Sequence, residues 1–318
     1  MNSFKDLIQC IEKASYILIA GHISPDGDAI GACTAMGLIL KKMGKEYGVL
    51  LEEPDEKYNY MLKNIHLLPH IPNKKCDLFI SLDCADIDRL GIFKEGFTSA
   101  KTSYNIDHHI SNTEYGQLNY VDANASSASE IVYDIWKASK LPMTTDIAEA
   151  IYTGMVYDTA AFKHTNTTYK TLAIASELLK YDFDFSSIIQ TLFYERSFAS
   201  IQLQGMAINN MESYFEHSLI VSSLSQEDFN LCNTTSNEAE GIVNVLKNIK
   251  DNKVVLFLYE KNPGEIKVSM RSDDPYNVCE IANVFGGGGH KKAAGATIYS
   301  TLDDAKNQVT ALLMNLFT

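Results

Sequence analysis

The chain has 318 residues and no apolar run near the roughly 20 residues that a membrane-spanning helix needs. Its opening stretch, MNSFKDLIQCIEKASYILIAG, has no basic leader, long apolar core or cleavage site. It reads as an amphipathic helix and then a strand, so a cytoplasmic protein without a membrane partner is expected. Cysteine offers no scaffold. Cys10, Cys33, Cys76, Cys84, Cys232 and Cys279 are scattered without a CxxC pair, which argues against a disulfide framework and a structural zinc site. Arginine is scarce too, with only Arg89, Arg196 and Arg271 in a chain of net charge −13. A protein that tracks long nucleic acid needs a basic stripe to displace counterions from phosphates, and none is present. Any nucleotide ligand is therefore small or very short, its charge met by a few local cations and metal ions.

What remains is ordinary for a globular protein: 46% hydrophobic and 21% charged residues, with length enough for about two domains. No repeat or low-complexity segment interrupts it. SYILIA, EYGVLL, DLFISLD and TSYNID read as buried strands, and Asp28–Met43 between the first two has helical spacing. This alternation predicts an α/β fold, a parallel sheet with helices on both faces. Helical segments follow at Ser127–Ser139, Thr145–Ala160, Thr168–Tyr181 and Phe185–Met211. The texture then changes. SLIVSSL, NKVVLFLYE and EIKVSMRS read as strands, the last two joined by the turn Asn262–Gly264. EAEGIVNVLKNI, NVCEIANVF and DAKNQVTALLMNLF read as helices. The predicted organisation is a first domain over 1–185, a helical linker over 186–212 and a smaller α+β domain over 213–318.

Acids and imidazoles gather where strands should end. GHISPDGDAIGA offers His22, Asp26 and Asp28, ISLDCAD offers Asp83, NIDHHISN offers Asp107, His108 and His109, and MVYDTAAF offers Asp158. Open parallel sheets bind ligands beyond the carboxyl ends of their strands, so these distant groups are expected to meet. Each has a plainer use. Asp26 and Asp28 can cap a helix, and Asp83 can serve a turn. Asp107-His108-His109 has little structural use, and Asp158 in an apolar stretch is costly unless paired or metal-bound. Mixed carboxylate and imidazole without thiolate suits Mn²⁺, Fe²⁺ or Mg²⁺. Two ions fit better than one, since four carboxylates would leave the centre near neutral. Such a pair can activate a shared water and clamp phosphoryl oxygens.

The second half adds anion chemistry. FGGGGHKKAAGA places Gly286, Gly287, Gly288 and Gly289 before His290, Lys291 and Lys292. Consecutive glycines let backbone N–H groups converge on an anion, although such a run also serves as a hinge. Arg271, ending VSMRS, is suited to bidentate phosphate contact.

In order and spacing, HISPDGDAIGA, LDCAD, DHH and YDTAAF resemble the four motifs of the DHH phosphoesterase superfamily. VSMRS and GGGGHKKAAGA resemble its DHH-associated C-terminal domain, and the resemblance spans nearly the whole chain. It is strongest to the stand-alone nanoRNase (oligoribonuclease) and pAp phosphatase group. The resemblance implies that His22, Asp26 and Asp83 hold one metal, and that Asp28, Asp83, His108 and Asp158 hold another, with Asp83 bridging. It implies that His109 faces the substrate phosphate while Asp107 orients an imidazole. Arg271, Gly286–Gly289 and His290 would grip the substrate's phosphate end. Ser127 and Ser129 are candidates for the site or for a helix cap. One departure stands out: where many relatives have Thr-Gly after the last aspartate, this chain has Thr159, Ala160 and Ala161.

The expected activity is thus metal-dependent hydrolysis, with Mn²⁺ the expected ion. Short RNA or DNA oligonucleotides would be cut to mononucleotides, and 3′-phosphoadenosine 5′-phosphate (pAp) would become AMP. Arg271, His109 and His290 would offset charge at the reacting phosphate. Alternatives are a phosphodiesterase for the linear dinucleotide pApA, an inorganic pyrophosphatase, and a nucleotide-binding module without catalysis. A homodimer is compatible with the sequence.

Overall fold

β1 (Tyr16–Ala20) buries Ile17 and Ile19 on one side and Tyr16, Leu18 and Ala20 on the other. A strand apolar on both faces needs cover on both. In the computed structural model, which describes residues 3–239 and 241–317, five further strands join it. They are β2 (Glu46–Leu50), β3 (Leu67–Leu68), β4 (Leu78–Leu82), β5 (Thr102–Asp107) and β6 (Leu118–Val121). Every pairing is parallel, in the order β3-β2-β1-β4-β5-β6. The α/β class expected from the sequence is the one found.

The Ile17 and Ile19 face packs in one core with residues of helices Phe4–Lys13, Gly27–Lys42, Ala128–Ser139 and Thr145–Asp158. The opposite face packs Phe79 with Leu90, Phe93 and Phe97. Each such buried side chain contributes about 1.5–3 kcal/mol. The chain leaves β1 towards β2 on one side and returns to β4 on the other. The crevice beyond their carboxyl ends is thus a topological switch point.

Two glycines let the helices Gly27–Lys42 and Thr145–Asp158 approach closely. A Cβ on Gly31 would stand 2.6 Å from the Ala150 carbonyl oxygen and 2.9 Å from the Gly154 nitrogen. This crossing carries Asp28, near the start of one helix, towards Asp158, the last residue of the other.

Contacts divide the chain into two compact units between Glu195 and Arg196. The single helix expected over 185–211 is interrupted here. Helix Phe185–Ile189 widens into a π turn at Gln190–Tyr194, Glu195 is extended, and Ser197 caps a new helix, Phe198–Asn209. The serine hydroxyl accepts the Ser200 N–H, a local bond that competes with helix continuation.

The second unit has strands β7 (Glu212–Tyr214), β8 (Leu219–Leu224), β9 (Val254–Asn262), β10 (Glu265–Ser272), β11 (Gly288–His290) and β12 (Ala293–Tyr299). Their order is β11-β12-β10-β9-β8-β7, antiparallel except between β8 and β9. β10 alternates: Ile266, Val268 and Met270 are buried, while Lys267, Ser269 and Arg271 lie on the other face. The helix expected over 238–249 is instead a 3₁₀ turn, Ser236–Ala239, followed by helix Ile242–Lys247. Glu240 of that stretch, and Met1 and Asn2 of the expected first helix, lie outside the described residues. Among the described residues, no helix is long and apolar enough to cross a membrane.

Candidate metal centre

Asp26 caps the helix after β1, its Oδ1 accepting the N–H groups of Asp28 (3.0 Å) and Ala29 (3.1 Å). The capping oxygen, Oδ1, is also the one that faces His22. His22 is buried, with Nε2 3.8 Å from Asp26 Oδ1 and 3.7 Å from Asp83 Oδ2. Asp83 follows β4 with φ +56°, its N–H donating to the Ile106 carbonyl at 3.1 Å. A left-handed non-glycine residue costs about 1–3 kcal/mol and persists where its surroundings hold it. His108 Nε2 lies 3.3 Å from both Asp83 Oδ1 and Asp158 Oδ2, and 3.9 Å from Asp28 Oδ2. Three donor groups result, His22–Asp26–Asp83, Asp28–His108–Asp158 and Asp83–Asp107–His108–His109, the donor atoms of each within 4.8 Å of one another. Asp83 stands between the first two.

Asp28 is wholly buried and is gripped by the start of helix Ala128–Ser139. The Ala128 N–H donates to its Oδ2 at 2.6 Å and the Ser129 N–H to its Oδ1 at 2.9 Å. Charge-assisted bonds from a helix N-terminus hold a carboxylate strongly. Ser127 caps that helix, accepting the Glu130 N–H at 3.0 Å, so the cap reading describes it. Ser129 instead belongs to the Asp28 grip.

His108 Nε2 and His109 Nδ1 share Asp83 Oδ1, at 3.3 and 3.6 Å, and differ in their other neighbours. His109 Nδ1 lies 2.8 Å from Asp107 Oδ1, and the side chain is 44% exposed against 12% for His108. Asp107 is fixed in turn, its Oδ2 accepting from Asn112 Nδ2 at 2.6 Å. The Asp107 bond raises the His109 pKa and favours the cationic ring.

This centre demands positive charge. Burial, then the charges of Asp28 and Asp26, push the Asp83 carboxyl well above its usual range. Burial and Asp28 likewise push Asp158 up to about 8. Asp83 Oδ1 and His108 Nε2 are buried and have no hydrogen-bond partner. An orphaned acceptor beside an imidazole nitrogen, among four carboxylates, is the environment a divalent cation satisfies. The donor set fits divalent ions.

Several supporting residues escaped the sequence reading. Gly154 leaves room for the Asp28 grip, since a Cβ there would collide with Ser129 Oγ and stand 2.6 Å from Asp28 Oδ1. A glycine within an apolar helix was the available signal. Asn166 donates to the carbonyls of Ser126 (2.9 Å) and Asp158 (3.3 Å), tying two site loops together. Glu130 is buried and accepts from Ser126 Oγ (2.6 Å) and Thr171 Oγ1 (2.8 Å). Neither residue carries a signal in the chain alone.

In the second unit, Arg271 donates from Nε to Asn244 Oδ1 (3.1 Å) and from Nη1 to the Met270 carbonyl (3.0 Å). The glycine run is more ordered than a free anion-binding loop: Gly288–His290 pairs with Ala293–Gly295 as a hairpin. A Cβ on Gly287 would collide with the Gly295 carbonyl, and one on Gly289 would stand 2.5 Å from that of Ala293. Close packing thus accounts for these two glycines. Lys291 and Lys292 both pair with Asp274, at 2.9 and 2.7 Å, so the basic patch is partly neutralised. A groove of about 680 Å³ adjoins Gly286 and Gly287, lined also by Lys267, Thr297 and Tyr299.

Known proteins share this organisation. Residues 16–155 match the model of the DHH family, N-terminal domain, and residues 218–315 that of the DHHA1 domain. The chain is 31% identical over 298 residues to the bifunctional oligoribonuclease and PAP phosphatase NrnA of Bacillus subtilis, covering 93% of each. It is 30% identical to the protein of the same name from Thermus thermophilus, covering 97% of this chain and 92% of that one. Among solved structures, an exopolyphosphatase-related protein from Bacteroides fragilis superposes with a TM-score of 0.86 at 25% identity. That match covers 99% of this chain and 96% of the other.

Proposed function

This chain belongs to the DHH family, and from that membership we propose a phosphoesterase that degrades short RNA oligonucleotides to mononucleotides and dephosphorylates pAp to AMP. The observation that carries the chemistry is the pair of buried atoms Asp83 Oδ1 and His108 Nε2, partnerless among four carboxylates. His22, Asp26 and Asp83 would hold one ion, and Asp28, Asp83, His108 and Asp158 a second, with Mn²⁺ suited to these donors. Bound there, divalent ions lower the pKa of water and polarise phosphoryl oxygens.

The protein's own groups supply the rest. The helix Ala128–Ser139 orients Asp28 through two backbone N–H groups, which offset part of the burial that raises its pKa. Asp107 engages His109 Nδ1, which leaves Nε2 to donate to a phosphate oxygen. Arg271, steadied by Asn244 and Met270, binds a substrate phosphate, as do His290 and the Gly286–Gly289 segment. The adjoining groove has the size of a nucleotide pocket. We place the enzyme in the cytoplasm, acting on small nucleotides rather than tracking long strands, consistent with its net charge of −13.

The test is kcat/KM of manganese-loaded protein on pAp, pApA and a short RNA. Turnover of the RNA and pAp supports the proposal. A marked preference for pApA makes it a dinucleotide phosphodiesterase, and no product from any of them ends the enzymatic reading.

A further inference from the structure

The 3₁₀ segment after β4, Ile87–Phe93, brings a guanidinium to the metal centre. Arg89 is the only arginine before Arg196, and its backbone is pinned to the loop after β1. The Ile23 N–H donates to the Arg89 carbonyl at 2.7 Å, and the Arg89 N–H donates to the Asp86 carbonyl at 3.1 Å. Gly91, at φ +54°, makes room for this, because a Cβ there would collide with Ile23. The Arg89 side chain is exposed, and among the described residues no carboxylate lies within ion-pair distance of it.

Its contact is His22 instead, with Nη2 2.9 Å from the ring's Nδ1. That same Nδ1 lies 2.8 Å from the Ile23 carbonyl oxygen. A guanidinium only donates and a carbonyl only accepts, so Nδ1 can satisfy one of them and not both. If Nε2 holds a cation, the ring proton sits on Nδ1 and goes to Ile23. Arg89 then has no acceptor and faces an N–H.

We propose that Arg89 is a catalytic residue whose guanidinium leaves His22 on cation binding and grips a non-bridging oxygen of the scissile phosphate. The inference rests on the phosphoesterase reading. Asp26, Asp28, Asp83 and Asp158 balance two divalent ions, so an arriving phosphate brings negative charge that those ions do not cancel. Arginine meets phosphate through parallel N–H groups, and this one has no carboxylate to abandon.

Wild type, Arg89→Lys and Arg89→Ala test it. The chain has three arginine side-chain Nε–H signals in ¹⁵N NMR; that of Arg89, identified by its loss in Arg89→Lys, should move on Mg²⁺ alone. Inorganic phosphate, the group released when pAp becomes AMP, titrated into Mg²⁺-loaded protein should bind Arg89→Ala about 10- to 100-fold more weakly, the loss of one charge-assisted contact. Arg89→Lys should fall between, and Mg²⁺ affinity should hold or rise. The proposal is overturned if the Arg89 signal ignores Mg²⁺ or if phosphate affinity survives in Arg89→Ala. It is equally overturned if Mg²⁺ and phosphate affinity fall together, since Arg89 would then only prop His22. A wild type that binds phosphate yet hydrolyses no nucleotide defeats the phosphoesterase reading, while the binding data still decide the Arg89 contact.

Discussion

His108 and His109 are adjacent but should fail differently. His108 Nε2 sits among Asp28, Asp83 and Asp158, so His108→Ala should weaken metal binding in calorimetry and lose activity with it. His109 is tied to Asp107. His109→Ala should keep its metals and slow turnover, by about 10²–10⁴-fold if the ring acts as an acid or electrostatic donor; equal metal loss in both would end that division. Gly154 is the other sharp residue. Gly154→Ala pushes a methyl into Ser129 and Asp28, where overpacking costs about 1–3 kcal/mol. The expected outcome is a lower melting temperature and weaker metal binding together, although alanine is the better helix former.

Elements carry a different kind of strain. The helix Thr145–Asp158 ends in a short left-handed turn, Ala160, Ala161 and Phe162 having φ of 47°, 55° and 64°. Glycine enters this region without the Cβ penalty, which bears on the departure from the Thr-Gly pattern noted in the sequence. Ala160→Gly should stabilise the protein by roughly 0.5–1 kcal/mol, since relief of that penalty exceeds glycine's added chain entropy. Denaturant unfolding measures this, and a destabilised variant would contradict the strain argument.

For the whole molecule, the centre links stability to metal and to pH. Without cations, burial and Asp28 hold Asp158 at about 8, against about 3.9 in an unfolded chain. A raised carboxylate pKa means the folded state binds the extra proton, so this group's contribution to stability falls as pH climbs between those values. Chelation should therefore lower the melting temperature, and more at pH 8 than at pH 5. Added Mn²⁺ should restore it while releasing protons. A melting temperature indifferent to chelator at pH 8 would show that the carboxylates are satisfied without metal. Arg271→Ala in the second unit should chiefly raise KM.

Much was legible in the chain because local chemistry sets it. Apolar runs made β1, β4 and β5 readable, and the rarity of adjacent Asp, His and His after a buried strand marked the centre. The Phe185–Met211 helix misled because its apolar spacing outweighed the cap signal of Ser197. The glycine run was readable as special, yet only the β11–β12 pairing separates glycines needed for packing from those open to a ligand. Residues acting through distant partners had no local signature at all. Gly154 beside Ser129, Asn166 bridging Ser126 and Asp158, and Arg89 beside His22 are neighbours through the crossing of helices and the order of strands. The sequence by itself determined which donors the protein owns and at which strand ends they emerge. Only the tertiary structure decided which oxygen meets which nitrogen, because hydrogen bonds and cation sites depend on ångström-scale distances that strand order and close packing set.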